Sequence, residues 1–309
     1  MLNRRQILQL AASLTAAGAA AGSLGAAGDT ARAPTLNQRA IPSSGEELPV
    51  IGMGTSRTFD VPADDDSVKQ LTEVLRAFFD ASGSVIDSSP MYGEAESRVG
   101  DILQSLEPQR PVFAATKVWT TGKQQGIEQM QESARRMAVD RFDLIAVHNL
   151  QDWRTHLATL KDWKAEGKVR YFGITTSHGR NHNELLEIMR KEPLDFVQFS
   201  YNIDNRGAEK ELLPLARERG IATMINRPYQ RGSLFGKSRD KPLPDVATDL
   251  GCGSWGQFYL KWILGHPAVT CVIPATSKPH HMRDNMQANF GPLPDPAQRA
   301  EMLRVFAAL

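Results

Sequence analysis

The feature that most narrows what this chain can fold into is a rhythm. Eight short apolar runs, at 50–54, 84–87, 112–116, 143–148, 169–174, 195–199, 221–225 and 270–273, alternate with longer amphipathic stretches at 66–79, 94–106, 123–137, 153–166, 183–190 and 208–219. The runs lack the apolar–polar alternation of a half-exposed sheet, as expected of parallel strands covered on both faces. The longer stretches repeat apolar residues at helical spacing, for example Val68, Leu71, Leu75 and Phe78, and Gly167 and Gly220 stand where helices would stop. Repeated strand–helix units predict an α/β fold, a closed (β/α)8 TIM barrel, in one domain spanning 48–309. A long polar loop, 227–249, follows the seventh run, and further helices are predicted over 254–264, 279–288 and 296–307.

The first residues stand outside this rhythm. Arg4 and Arg5 precede a stretch from Leu10 to Ala27 built almost wholly of Ala, Gly, Leu, Ser and Thr. This resembles a twin-arginine signal peptide over 1–33, followed by a polar linker over 34–47. It predicts recognition by the twin-arginine export machinery, cleavage, and a periplasmic or exported mature chain without a membrane anchor. The chain carries 36 basic and 35 acidic residues, and removing 1–33, with three basic and one acidic residue, would move the net charge from +1 to −1. No block of lysine or arginine stands out, so nucleic acid is not an expected partner. Cys252 and Cys271 fit either a pair or two buried thiols. His178 and His182, and likewise His280 and His281, lack a carboxylate or cysteine to complete a ligand set, so no metal site is expected.

In a barrel of this kind the reacting groups sit at the C-terminal ends of strands. Asp87 closes the second run, Tyr92 lies in the loop after it, Lys117 follows the third, and His148 closes the fourth. A lysine and a histidine at the ends of buried strands are costly unless paired. For any one of these residues a structural ion pair or a satisfied core histidine is a sufficient account. Four of them at adjacent strand ends favour chemistry.

Three segments carry a resemblance. Asp87-Ser88-Ser89-Pro90-Met91-Tyr92-Gly93 with Glu96 and Gly100 after it, Ala115-Thr116-Lys117-Val118-Trp119, and Val147-His148 resemble the signature segments of the aldo-keto reductase family, and the likeness runs from about Val50 to Asn285. The resemblance implies NADPH-dependent reduction of an aldehyde or ketone, with hydride reaching the carbonyl carbon and Tyr92 protonating the oxygen. A phenol with a pKa of ~10 is a reluctant acid at neutral pH. Lys117 would ease the transfer, Asp87 would hold the lysine, and His148 would orient the carbonyl and stabilise charge on its oxygen. Trp119 would wall the substrate pocket.

There is no G-x-G-x-x-G before a helix, which argues against a Rossmann site. The resemblance instead lays the dinucleotide across the strand ends. Gly52, Gly54 and Thr55 would lie beneath the nicotinamide ribose, and Thr175, Thr176 and Gln198 at the carboxamide. Gly232, Ser233 and Leu234 would approach the pyrophosphate, and Thr276, Lys278, Asp284 and Asn285 the adenosine end. NADP(H) is favoured, with NAD(H) open. The sequence departs from the family pattern at Thr176, where an amide is usual, and at Asn226, where an aromatic ring is usual. It departs again at Ala275 and His281, where many members have a cation for the 2′-phosphate. Whether Tyr229 replaces the missing ring stays open. These departures sustain an alternative, a cofactor-binding redox sensor with little turnover. A monomer acting on a small carbonyl compound is the expectation.

Overall fold

The computed structural model describes residues 35–106 and 111–309. The signal peptide expected over 1–33 lies outside them. Two short strands, β1 (Gln38–Ala40) and β2 (Glu47–Pro49), pair antiparallel. Eight more pair in parallel in chain order: β3 (Met53–Gly54), β4 (Val85–Asp87), β5 (Phe113–Val118), β6 (Phe142–His148), β7 (Val169–Thr175), β8 (Phe196–Ser200), β9 (Ala222–Asn226) and β10 (Cys271–Val272). Bridges between Ile51 and Val272 and between Gly54 and Ala275 join the first of these to the last, so the sheet closes into the predicted barrel. Each barrel strand overlaps a predicted run.

The helices are α1 (Asp65–Asp80), α2 (Ala95–Ser105), α3 (Lys123–Arg136), α4 (Trp153–Ala165), α5 (His182–Lys191), α6 (Leu212–Glu218), α7 (Leu234–Lys237), α8 (Asp245–Asp249), α9 (Trp255–Leu264), α10 (Pro279–Gln287) and α11 (Pro296–Ala307). Gly167 and Gly220 take φ of 73° and 63° just past α4 and α6, the left-handed stop that the sequence signalled. α6 is shorter than the predicted 208–219 because a separate 3-10 turn, Gly207–Glu209, precedes it. Pro214 is the reason: it lacks an N–H and suits a first turn, not an interior. The loop 227–249 is also more structured than expected, holding a 3-10 turn at Gln230–Gly232 together with α7 and α8.

Successive side chains of a strand point to opposite faces. Val85, Phe113, Ala115, Leu144, Tyr171, Phe196, Ala222, Met224 and Cys271 form the inner cluster, whereas Ile86, Ala114, Ile145, Phe172, Val197, Ile225 and Val272 pack with the helices. Carrying the inner phase to the C-terminal strand ends reaches Asp87, Lys117, His148, Thr175, Gln198 and Asn226. A single period-2 rule thus gathers six polar side chains at one mouth.

The stretch expected as a linker belongs to the fold. Ile41 and Leu48 of the β1–β2 hairpin join the inner cluster. Arg39 reaches from β1 to the end of α9, where Nη1 donates to His266 O at 2.9 Å and also to Val269 O, and Nη2 donates to Leu264 O at 2.5 Å. These carbonyls lie at and just past the α9 C-terminus, which a cation suits. Arg39→Met, which keeps the aliphatic stem and removes the donors, is expected to destabilise the fold by about 1–3 kcal/mol in urea unfolding.

Candidate active site

The expected proton-delivery residues meet at the barrel mouth. Lys117 is fully buried, and its Nζ donates to Asp87 Oδ2 at 2.7 Å and to Ser88 O at 2.6 Å. A buried ammonium needs such partners. Burial alone would lower the Lys117 pKa, but the Asp87 carboxylate and then Tyr92 more than offset it, so the ammonium sits above its ordinary value. The same Nζ lies 5.2 Å from the centroid of the Tyr92 ring. Burial raises the phenol's pKa, Lys117 draws it back down by charge and hydrogen bonding, and the net shift is upward.

His148 stands beside them. Its ring meets Tyr92 edge-on at 5.9 Å between centroids, and Trp119 lies 6.4 Å away on another side. Burial, and then the Lys117 charge, lower its pKa to about 3, so the imidazole is neutral at any physiological pH. Ser89, whose role the sequence did not signal, bears on which nitrogen carries the proton. Met91 N–H donates to Ser89 Oγ at 3.4 Å, and Ser89 Oγ lies 3.0 Å from His148 Nδ1. Ser89 Oγ, already accepting from Met91 N–H, has its own proton to offer Nδ1, and that arrangement would place the ring hydrogen on Nε2.

The neighbouring strand ends form a second layer. Gln198 Nε2 donates to Asp87 Oδ1 at 3.0 Å, and its Oε1 accepts from Thr175 Oγ1 at 3.0 Å and from Asn226 Nδ2 at 3.3 Å. Asn226 also donates to Thr176 O at 3.0 Å and accepts from Ser200 Oγ at 2.6 Å. The side chain in place of the usual ring is therefore a node of a polar network. Tyr229 does not take over that place. Its hydroxyl donates to Asn285 Oδ1 at 2.7 Å, and its ring packs 5.0 Å from Phe235.

Other expected cofactor contacts are placed as follows. Gly52 and Gly54 lie at the barrel seam, where an added Cβ would come within 2.9 Å of Val85 and 3.0 Å of Ile273 O respectively. A side chain at Gly52 would force Val85 to shift, and one at Gly54 would press on the Ile273 carbonyl. Thr55 is buried and donates to Asp87 O and Ser88 Oγ. Gly232 and Ser233 are exposed while Leu234 is buried. Thr276 Oγ1 accepts from Lys278 N–H at 3.0 Å, and Lys278 is exposed. Asp284 accepts from Ser254 Oγ at 2.7 Å and from Gln257 Nε2 at 2.6 Å, so it also braces the start of α9. Thr176 Oγ1, expected from the sequence at the carboxamide, is buried without a hydrogen-bond partner.

Two further residues of the first signature segment do packing work. Glu96 accepts from Thr116 Oγ1 at 2.6 Å and Ser133 Oγ at 3.0 Å, and a Cβ on Gly100 would meet Arg136 O at 2.0 Å. Met91 and Trp119, each 39% exposed, supply apolar surface at the mouth, and only Trp119 was foreseen. Cys252 and Cys271 are separate buried thiols, pushed by burial to about 11 and about 12.

Comparison with known proteins bears on this geometry. The model of the aldo/keto reductase family matches residues 50–299. The methylglyoxal reductase YeaE of Escherichia coli is 28% identical over 261 residues, covering 81% of this chain and 89% of that protein. An NADH-specific methylglyoxal reductase of the same organism is 27% identical over 185 residues, covering 50% of this chain and 54% of its own. A crystal structure of an aldo-keto reductase from Klebsiella pneumoniae in complex with NADPH is 25% identical, covers 85% of this chain and 92% of its own, and superposes with a TM-score of 0.68. The family match spans all eight barrel strands and the strand ends where Asp87, Lys117 and His148 meet: the chain belongs to the aldo/keto reductase family.

Proposed function

We propose that this protein reduces an aldehyde or ketone to an alcohol with a reduced nicotinamide dinucleotide, NADPH in preference to NADH. The observation that carries this reading is the buried Asp87–Lys117 pair under Tyr92 with a neutral His148 beside it. When bound, the dinucleotide supplies the hydride. Tyr92 Oη delivers the proton to the carbonyl oxygen, and the Lys117 ammonium stabilises the phenolate left behind. Asp87 keeps that ammonium charged and in place, while Gln198 fixes the second carboxylate oxygen. His148 donates Nε2–H to the carbonyl oxygen and so orients it and meets the charge that develops there.

The strand ends suit the dinucleotide. The unpartnered Thr176 Oγ1, with Thr175 and Gln198 beside it, offers a hydroxyl to a carboxamide. Gly52, Gly54 and Thr55 would border the ribose, and Gly232, Ser233 and Leu234 the pyrophosphate. Thr276, Lys278, Asp284 and Asn285 would meet the adenosine end. The NADPH complex of the Klebsiella relative supports that cofactor, and the name of the first Escherichia coli relative supports trying methylglyoxal among small carbonyl compounds. The test is oxidation of NADPH and NADH, side by side, against a panel of aldehydes and ketones. Tight NADPH binding with no turnover on any of them would favour the second reading, a redox sensor, which the polar Asn226 keeps alive.

Ser89→Ala is expected to lower kcat/KM by about five- to tenfold, because the imidazole is then free to carry its proton on Nδ1. Ser89→Thr should restore most of the loss. In both the native protein and Ser89→Thr the pH–rate profile should show no inflection between pH 5 and 8 from His148, since its pKa is about 3.

Residues 1–33 are proposed as a twin-arginine signal, with the mature chain a monomer outside the cytoplasm. Cell fractionation with N-terminal sequencing tests this, and an intact N-terminus on cytoplasmic protein would rule it out.

A further inference from the structure

Positive charge gathers on one side of the barrel mouth, on side chains that are exposed except for the half-buried Arg227. Arg57 follows β3, His178 and Arg180 follow β7, and Arg227 and Arg231 follow β9. Arg227 Nη1 donates to His178 Nε2 at 2.6 Å, so the proton of the neutral ring is on Nδ1, which faces Ser177 Oγ at 2.7 Å. Arg180 Nη2 lies 3.3 Å from that same Nδ1 and has no lone pair to donate to there. The His178 pKa is lowered by burial and then by Arg227, Arg231, Arg180 and Arg57. The Arg227 guanidinium is likewise disfavoured by burial and then by Arg231, Arg57 and Arg180. Among the described residues none of these four arginines pairs with a carboxylate, whereas Arg170 and Arg299 elsewhere each do.

The backbone points the same way. Arg57, His178, Arg227 and Arg231 have φ of 63°, 64°, 53° and 61°, in the left-handed region that side chains other than glycine rarely adopt. Such conformations concentrate at binding sites. The cluster is also tied to the proton-delivery residues. His178 N–H donates to Ser200 Oγ at 3.0 Å, Ser200 Oγ donates to Asn226 Oδ1, and Asn226 connects through Gln198 to Asp87.

We propose that Arg57, Arg180 and Arg227 form a subsite for an oxyanion of the substrate, so that the carbonyl compound reduced carries a carboxylate or phosphate group. The inference rests on the reductase reading. Dinucleotide phosphates have the same chemistry, and on the reductase reading they would meet the loop after β9. A pyrophosphate, however, brings roughly two negative charges, one per phosphate, and leaves the cluster still positive. The exposed Arg57 and Arg180 side chains then remain to meet a second anion. Arg57 and Arg180, on the loops furthest in sequence from Gly232, Ser233 and Leu234, are the residues that separate the two sources.

The test compares 4-carboxybenzaldehyde with its methyl ester, in the full chain with NADPH, for the native protein, Arg57→Gln and Arg180→Gln. The expected result is a kcat/KM about tenfold or more in favour of the acid, carried by KM and shrinking as salt is raised. Each substitution should move the acid-to-ester ratio towards one, while the NADPH dissociation constant from cofactor fluorescence stays within about twofold. If the substitutions instead weaken NADPH binding and leave the ratio intact, the cluster serves the cofactor and the proposal is overturned. If neither compound turns over, the carbonyl panel decides the reductase reading, and calorimetric titration of the two compounds decides the subsite. Acid bound about tenfold more tightly than ester, with the difference lost in both variants, supports it. Equal binding overturns it.

Discussion

Tyr92→Phe should lower kcat for carbonyl reduction by about two to four orders of magnitude while leaving NADPH affinity close to native. The substitution removes one hydroxyl and keeps the ring, so the edge-on contact with His148 at 5.9 Å and the packing around it survive. What is lost is the proton donor, and no other group at the mouth replaces it: Lys117 is committed to Asp87 and Ser88, and His148 is neutral. The pH profile gives a second readout. The donor must be protonated, so reduction should fall as pH rises through the Tyr92 pKa, which burial raises and Lys117 pulls back. Removing the ammonium should move that alkaline limb upward. A Tyr92→Phe protein with near-native kcat would assign the proton to another group.

Lys117→Met should cost about 3–5 kcal/mol in denaturant unfolding as well as most of the activity. The Asp87 side chain, 5% exposed, loses its cation and keeps only neutral donors. Adding Asp87→Asn should recover most of the stability and none of the activity, which separates the buried charge from the chemistry. The sign of the pH dependence follows from linkage. Lys117 has a folded-state pKa above its ordinary value of 10.5, so its contribution is full below that value and is lost as pH climbs through the folded pKa. The stability gap between native protein and Lys117→Met should therefore hold from neutral pH to about 10 and close above it.

Much of the site was legible because a barrel turns chain order into position. Asp87, Lys117 and His148 end consecutive strands, so their adjacency follows from topology once the strands are recognised. The Ser89–His148 contact was not legible, since 59 residues separate the two and the choice of ring nitrogen depends on one hydroxyl. Asn226 read as a missing ring because identity was visible and partners were not. Its bonds to Thr176, Gln198 and Ser200 exist only after three strands have paired in register. The stretch 34–47 read as a linker because Ile41 is an isolated apolar residue among polar ones, and its burial in the inner cluster depends on distant strands.

The sequence by itself determined the order of strands and helices, the glycine stops after α4 and α6, and the residues standing at the strand ends. These are local properties: apolar period, turn chemistry and spacing. Tertiary structure alone decided which strand residues face inward, because parallel strands buried on both faces carry no alternation to reveal their phase. It also decided the contact between Ser89 and His148, the network through Asn226 and the meeting of four arginines on loops after β3, β7 and β9. Each depends on pairs of groups far apart in the chain, and strand pairing and barrel closure set their distance.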